Sequence, residues 1–189
     1  MKCLFTVLFF AVILAKSPAG VCLYCQKDGE VWLLLADHNN NRGWADFGGG
    51  GEEGETIQET AAREGSEETR GYFSEEYLLR KIQQTKVYRN AFYYYFFIEV
   101  PYVAADTING YGVKGKAAVY QERGPYAWVP FSAVRAYLDL SYEELAETDM
   151  VVPQEYLPEG VLNHHFWSFW ILNLKVAKER SGLPFLSIE

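Results

Sequence analysis

No run of Lys or Arg occurs anywhere in the 189 residues, and the formal net charge is −8. That lack excludes a surface that neutralises many phosphates of a nucleic-acid polymer, which needs clustered basic side chains. Any phosphate handled here belongs to a small molecule, and an acidic protein that binds phosphate calls for a cation between the two negative partners. Cysteine is scarce too, with only Cys3, Cys22 and Cys25. No second Cys-x-x-Cys and no suitably placed His accompanies Cys22 and Cys25, so a tetrahedral zinc site lacks ligands. In an extended segment the two would lie about 10 Å apart on opposite faces, beyond the ~7 Å reach of a disulfide, and both are expected to be buried packing residues. There is no internal repeat, no low-complexity tract, and no apolar run of the ~20 residues that a membrane-spanning helix needs.

An apolar run does fill residues 3–15, after Lys2 and before Lys16-Ser17-Pro18-Ala19. Its length and the small residues Ser17 and Ala19 predict a secretory signal peptide over 1–19, leaving Gly20 first in an exported (periplasmic or secreted) protein with no stable membrane span. The competing reading is a retained apolar strand or helix on a cytoplasmic protein. The remainder, 20–189, has the size of one packed domain.

Residues 21–26 and 30–36 are β-rich runs, and Asp28-Gly29 between them supplies the positive φ angles of a tight hairpin. Residues 37–43 (DHNNNRG) form a polar loop, and 44–51 (WADFGGGG) a stretch whose glycines imply a close approach to the backbone. Thr56, with Glu59 three residues on, has the form of a capping box that opens a helix running to about Thr69. The aromatic run within 86–100 predicts a strand, central in a sheet because both its faces are apolar. Short strands are expected at 117–121 and 128–131, and surface helices at 132–139 and 141–148. A helix over 162–177 would gather Leu162, Phe166, Phe169, Trp170 and Leu174 on one face to pack on the sheet. His164 and His165 would then point about 100° apart and serve packing or the surface rather than one metal.

The chemistry concentrates between Gly48 and Thr69. Glu64, Glu67 and Glu68 stand at i, i+3 and i+4, so their carboxylates share one helical face and repel one another. A divalent cation converts that repulsion into binding, and oxygen ligands of this kind suit Mg²⁺ or Mn²⁺, which also reach phosphate oxygens. Arg63 can pair with a neighbouring glutamate, for example Glu59, and fix the geometry. A merely solvated acidic helix would account for the charges. It would not account for the glycines, or for Gly65 inside the helix at a cost of about 1 kcal/mol.

Residues 49–71 resemble the Nudix box, Gly-x5-Glu-x7-Arg-Glu-U-x-Glu-Glu-x-Gly-U with U a bulky aliphatic: Gly49, Glu55, Arg63, Glu64, Glu67 and Glu68 fall in register. Gly65 departs from the pattern at the first U, Arg70 stands at the expected Gly with Gly71 one later, and Phe47 replaces a frequent Pro. The resemblance implies an α/β (α+β) fold, a Nudix-like α/β/α sandwich with a mixed central sheet, and a pyrophosphate-bond hydrolase, with a homodimer possible as is common in that family. It implies that Glu64, Glu67 and Glu68 hold Mg²⁺ (or Mn²⁺) with the Gly48 carbonyl as a further ligand, and that Glu64 or a neighbour activates the attacking water. Arg63 and Glu55 are implied as orienting partners. Glu122 is the candidate for the late-loop acidic residue that many such enzymes use, an ordinary exposed glutamate being the other reading.

The implied substrate is a nucleotide-like small molecule: a nucleotide sugar, ADP-ribose or a dinucleoside polyphosphate. Tyr88 stands near the position of a dinucleoside-polyphosphate marker, while the proline typical of ADP-ribose hydrolases is missing, no Pro lying between Pro18 and Pro101. Trp44, Tyr126 and Trp128 are candidates to stack a base, against the alternative of core aromatics. The competing function is a nucleotide-binding sensor on the same fold that does not turn its ligand over.

Overall fold

In a computed structural model, residues 17–38, 42–90 and 92–186 are described. Asp28 and Gly29 take φ of 55° and 79°, the turn that matches the twist of a hairpin. It joins β1 (Ala19–Lys27) to β2 (Glu30–His38), antiparallel with Tyr24 opposite Leu33 and Lys27 opposite Glu30. Toward Ala19 the two strands part, and β3 (Gly43–Ala45) and β4 (Phe47–Gly49) occupy the opening, β3 on the end of β2 and β4 on the start of β1. Here Gly48 lies opposite Gly20, and a Cβ on Gly48 would come within 2.6 Å of the Gly20 Cα.

On its other edge β1 runs parallel to β6 (Tyr94–Glu99), with β5 (Val87–Arg89) beyond, and β7 (Arg123–Pro130) lies antiparallel along β2. The result is a seven-stranded mixed sheet ordered β3-β2-β1-β6-β5, with β4 on β1 and β7 on β2. Strand alternation sends Val21, Leu23 and Cys25 to one face and Cys22 and Tyr24 to the other, and both faces are covered. The first face carries α1 (Ile57–Glu68), α2 (Glu75–Ile82) and α3 (Ala105–Asn109); the second carries α4 (Phe131–Asp139), α5 (Tyr142–Glu147) and α6 (Ser168–Ser181). This is the expected α/β/α sandwich, and Cys22 and Cys25 are free, buried and on opposite faces, as their spacing predicts.

Three local expectations are corrected. The stretch 117–121 is no strand but carries a 3-10 turn, Ala118–Gln121, which pairs with no strand among the described residues. The strand expected at 128–131 is β7, which starts five residues earlier at Arg123 and stops at Pro130, so Phe131 already opens α4. The helix expected from residue 162 begins only at Ser168. Before it the backbone is committed elsewhere: Phe166 N–H donates to Met150 O at 2.8 Å, Trp167 N–H to Trp44 O at 2.9 Å, and His165 O accepts from Trp44 N–H at 2.8 Å. Leu162 is accordingly 94% exposed, and the histidines are not helical neighbours: His165 Nδ1 meets Asp149 at 2.8 Å and His164 Nε2 the Val161 carbonyl at 3.0 Å.

The expected leader, 1–19, lies outside the described residues except for Ser17, Pro18 and Ala19, the last of which opens β1. Among the described residues no helix is long and apolar enough to cross a membrane.

Candidate functional site

Thr56 caps α1 by accepting from the Glu59 N–H at 3.2 Å, and Glu59 returns the bond by accepting from the Thr56 N–H at 2.8 Å. That reciprocal box fixes where the helix starts and hence which way its faces point. Ala61, Ala62, Gly65 and Glu68 are buried toward the sheet, while Arg63, Glu64 and Glu67 lie at its margin. Gly65 is there for space: a Cβ would stand 2.7 Å from Val21 Cγ2 and 2.9 Å from Leu78 Cδ1.

Arg63 is the organiser. Its Nε donates to Glu55 Oε1 at 2.7 Å and its Nη2 to Glu55 Oε2 at 3.2 Å and the Gly50 carbonyl at 2.8 Å. Nη1 donates at 3.0 Å to both Glu64 Oε1 and Glu67 Oε2. The pairing expected with Glu59 does not occur, because that carboxylate is occupied by the cap. Glu55 also accepts from Glu52 N–H and Thr60 Oγ1, and the Arg63 hydrogen bond foremost pulls its pKa to about 2.

Glu68 lies deepest, 7% exposed, accepting from the Gly48 N–H at 2.8 Å. Burial pushes its pKa up to about 7, opposed by Arg123 and the Gly48 bond and reinforced by Glu64 and Glu122. Glu64 and Glu67 are also raised, first by burial, with Arg63 pulling the other way. Glu64, Glu68, Glu122 and Arg123 line one recess of about 570 Å³ with Gly48, Gly49, Gly50, His38 and Arg42. Gly49 makes room for the Glu64 carboxylate, whose Oε1 would sit 2.6 Å from an added Cβ. His38 is pushed down to about 3, by burial first and then by Arg123 and Arg42, so its imidazole is neutral near pH 7.

Thus the structure brings together Gly48, Glu64, Glu68 and Glu122, the last from the end of the Ala118–Gln121 turn, 54 positions beyond the last residue of α1 (122 against 68). Arg63, Glu67 and Glu55 stand beside the recess in one ion-pair cluster. The three stacking candidates are not there. Trp44 is fully buried with Nε1 on the Asn163 carbonyl, Tyr126 is fully buried with its hydroxyl on the Glu68 carbonyl, and Trp128 is 6% exposed with Nε1 on the Val103 carbonyl. Each ring lies in the packed layers beside the sheet and none of the three lines the recess that Glu64, Glu68 and Arg123 line, so none offers a face there to a base; this corrects the stacking expectation. Tyr88 is likewise a core ring, edge-on to Phe97. Residues the sequence reading missed are His38, Arg42 and Arg123; the adjacency of Arg123 to Glu122 was the one signal available for it.

The recess offers carboxylate and carbonyl oxygens with a neutral His and no thiol, and its buried carboxylates repel one another. This donor chemistry fits a hard divalent cation. Among the described residues no three acidic, His or Cys side chains converge as a ligand set as they stand: Glu64 and Glu67 are turned onto Arg63, and Glu68 onto Gly48. Arg70, at the departure from the box pattern, takes φ 59°, the backbone conformation a glycine would supply, and its Nη1 donates to the Asn109 carbonyl at 3.0 Å.

The NUDIX domain family model matches residues 16–148, which includes α1, the glycine segment and β7. The chain belongs to the Nudix family. Membership makes this Nudix protein a hydrolase of pyrophosphate bonds, acting in general on nucleoside-diphosphate-linked substrates. No curated protein matches the sequence. The family match ends before the segment that carries α6, which covers the second sheet face.

Proposed function

We propose that this Nudix protein is a Mg²⁺-dependent (or Mn²⁺-dependent) hydrolase of a nucleoside diphosphate linked to a second group, of the nucleotide-sugar, ADP-ribose or dinucleoside-polyphosphate class. The observation that carries the reading is Glu68, a carboxylate buried at a glycine wall beside two further acids, Glu64 and Glu122, that raise its pKa. Such a group stays only where something repays its burial, and a divalent cation does so.

Glu64, Glu67 and Glu68 would hold the ion, with the Gly48 carbonyl and Glu122 as further donors. When bound, the ion neutralises charge on the phosphate oxygens and on the leaving group. Arg63 and Glu55 keep the glutamates in place before the ion arrives. Glu64 Oε2, the oxygen that Arg63 does not bind, takes the proton of the attacking water, a contribution of about 10²–10⁴-fold. The water oxygen forms the new bond to phosphorus, the bridging P–O bond breaks with its electron pair leaving on the second phosphate, and two phosphate-bearing products result. By the reading of residues 1–19 as a leader, the reaction takes place outside the cytoplasm, and the mass of the mature N-terminus from the native host checks that.

Incubation with Mg²⁺ and a panel of nucleoside diphosphate sugars, ADP-ribose and dinucleoside polyphosphates tests the function. Turnover of one class supports it; tight binding with no turnover of any would favour the sensor instead.

A further inference from the structure

Arg123 has no task in the reaction as written. It opens β7, and its side chain is 1% exposed. Nη2 donates to the Asp46 main-chain carbonyl. Among the described residues Nε and Nη1 have no hydrogen-bond partner; Nε forms an ion pair with Glu68 Oε1 at 3.6 Å, longer than a hydrogen bond, so the charge is paired while the donors stay open. A guanidinium buried with open donors is destabilising, and such groups persist where a ligand supplies the missing acceptor. Arg123 lines the recess of Glu64, Glu68, Glu122 and the glycines, with a second guanidinium, Arg42, on the same recess.

The donors lie on separate edges of a planar group. Nη2 anchors the guanidinium to the strand pair, Nε faces Glu68, and Nη1 is left for a third acceptor. A cation drawing the Glu68 oxygens to itself would weaken what hold they have on Arg123 and leave the guanidinium wanting an anion. The substrate brings one. We propose that Arg123 forms an anion subsite that takes a non-bridging oxygen of a substrate phosphate, so that the diphosphate is held from one side by the carboxylate-bound ion and from the other by a guanidinium. This rests on the recess being the diphosphate site. Arg123 also helps set selection: a ligand with one phosphate satisfies the ion or the guanidinium, and a diphosphate satisfies both.

The test compares the full-length wild type with Arg123→Lys, which keeps the charge but loses the planar set of donors, and with Arg123→Gln, each checked for folding by its melting curve. Mn²⁺ affinity is read from the spin-resonance signal of the free ion, and affinity for methylenediphosphonate, whose bridge cannot be hydrolysed, from calorimetry with Mn²⁺ present. For Arg123→Lys the expected result is Mn²⁺ affinity within about threefold of wild type and diphosphonate affinity lower by about tenfold or more, with a larger loss for Arg123→Gln. Unchanged diphosphonate affinity in Arg123→Lys overturns the subsite. So does a loss that merely tracks a loss of Mn²⁺ affinity, which would make Arg123 a prop for Glu68. Wild type that binds diphosphonate without Mn²⁺ uptake, in a manner that Arg123→Lys weakens, overturns the proposed function and supports the subsite; wild type that binds neither overturns both.

Discussion

Arg63 holds Glu55 through two nitrogens, Nε 2.7 Å from Oε1 and Nη2 3.2 Å from Oε2, and so ties the loop before α1 to the helix's second turn. Because Nη1 of the same guanidinium reaches Glu64 and Glu67, the position of the loop and the position of two carboxylates are one mechanical problem.

Glu55→Gln separates the two. With a folded pKa pulled from 4.5 to about 2, Glu55 contributes stability that is present above about pH 4.5 and lost as pH falls through 2. Melting curves should therefore show the variant less stable than wild type at pH 7, with the gap closing as pH falls from 4.5 toward 2. Steady-state kinetics with the best substrate should show kcat lower by about 10-fold, the scale expected when a partner that orients ligands is removed. A constant gap across that pH range would mean that the Arg63 bond is not what stabilises Glu55.

Glu68→Gln reverses the usual sign. Burial raises the folded pKa from 4.5 to about 7, so the contribution of Glu68 is fully present below about 4.5 and is lost as pH rises through 7. In metal-free buffer at pH 8 the variant should melt at a higher temperature than wild type, and at pH 4 the difference should vanish. Added Mg²⁺ should stabilise wild type more than the variant, whose kcat should fall by at least about 10²-fold. A variant that melts lower than wild type at pH 8 without metal would show that ionised Glu68 stabilises the apo fold.

Gly65→Ala should lower stability although alanine is the better helix former by about 1 kcal/mol. The added methyl meets Val21 Cγ2 at 2.7 Å and Leu78 Cδ1 at 2.9 Å; Leu78 can turn aside, but the β-branched Val21 cannot easily. Overpacking of this kind costs about 1–3 kcal/mol. Val21→Ala on top of Gly65→Ala should recover part of the loss, and a denaturant-based double-mutant cycle with no coupling between the two positions would contradict the packing account.

Arg70 separates backbone strain from side-chain contact. Arg70→Ala loses the bond to the Asn109 carbonyl and keeps φ near 59° on a residue with a Cβ, whereas Arg70→Gly loses the bond and relieves the backbone. The glycine variant should be the more stable of the two by about 1 kcal/mol in urea unfolding. Equal stabilities would place the departure from the family's glycine outside any backbone cost.

How much was legible depended on how local the cause was. The Asp28-Gly29 turn, the Thr56–Glu59 box and the shared face of Glu64, Glu67 and Glu68 follow from residues within four positions of one another. Alternation along 21–26 likewise separates Cys22 from Cys25. The failures lie where a distant partner outbids the local pattern: residues 162–167 have helical spacing of apolar side chains, yet their backbone bonds go to Trp44 and Met150. Trp44, Tyr126 and Trp128 carry the right chemistry for stacking, but exposure is a property of what covers a ring, and these are covered.

From residue order alone came the family, the start and facing of the acidic helix, and the demand of its crowded carboxylates for a cation, because helical periodicity and capping act over a single turn. Only the tertiary arrangement decided that the turn before β7 and the start of β7 would set Glu122 and Arg123 in one recess with Glu64 and Glu68, that Arg63 would turn to Glu55 rather than Glu59, and that Glu68 would be buried enough to titrate near neutrality. Those outcomes depend on desolvation and on contacts between segments far apart in the chain, quantities that no local spacing encodes.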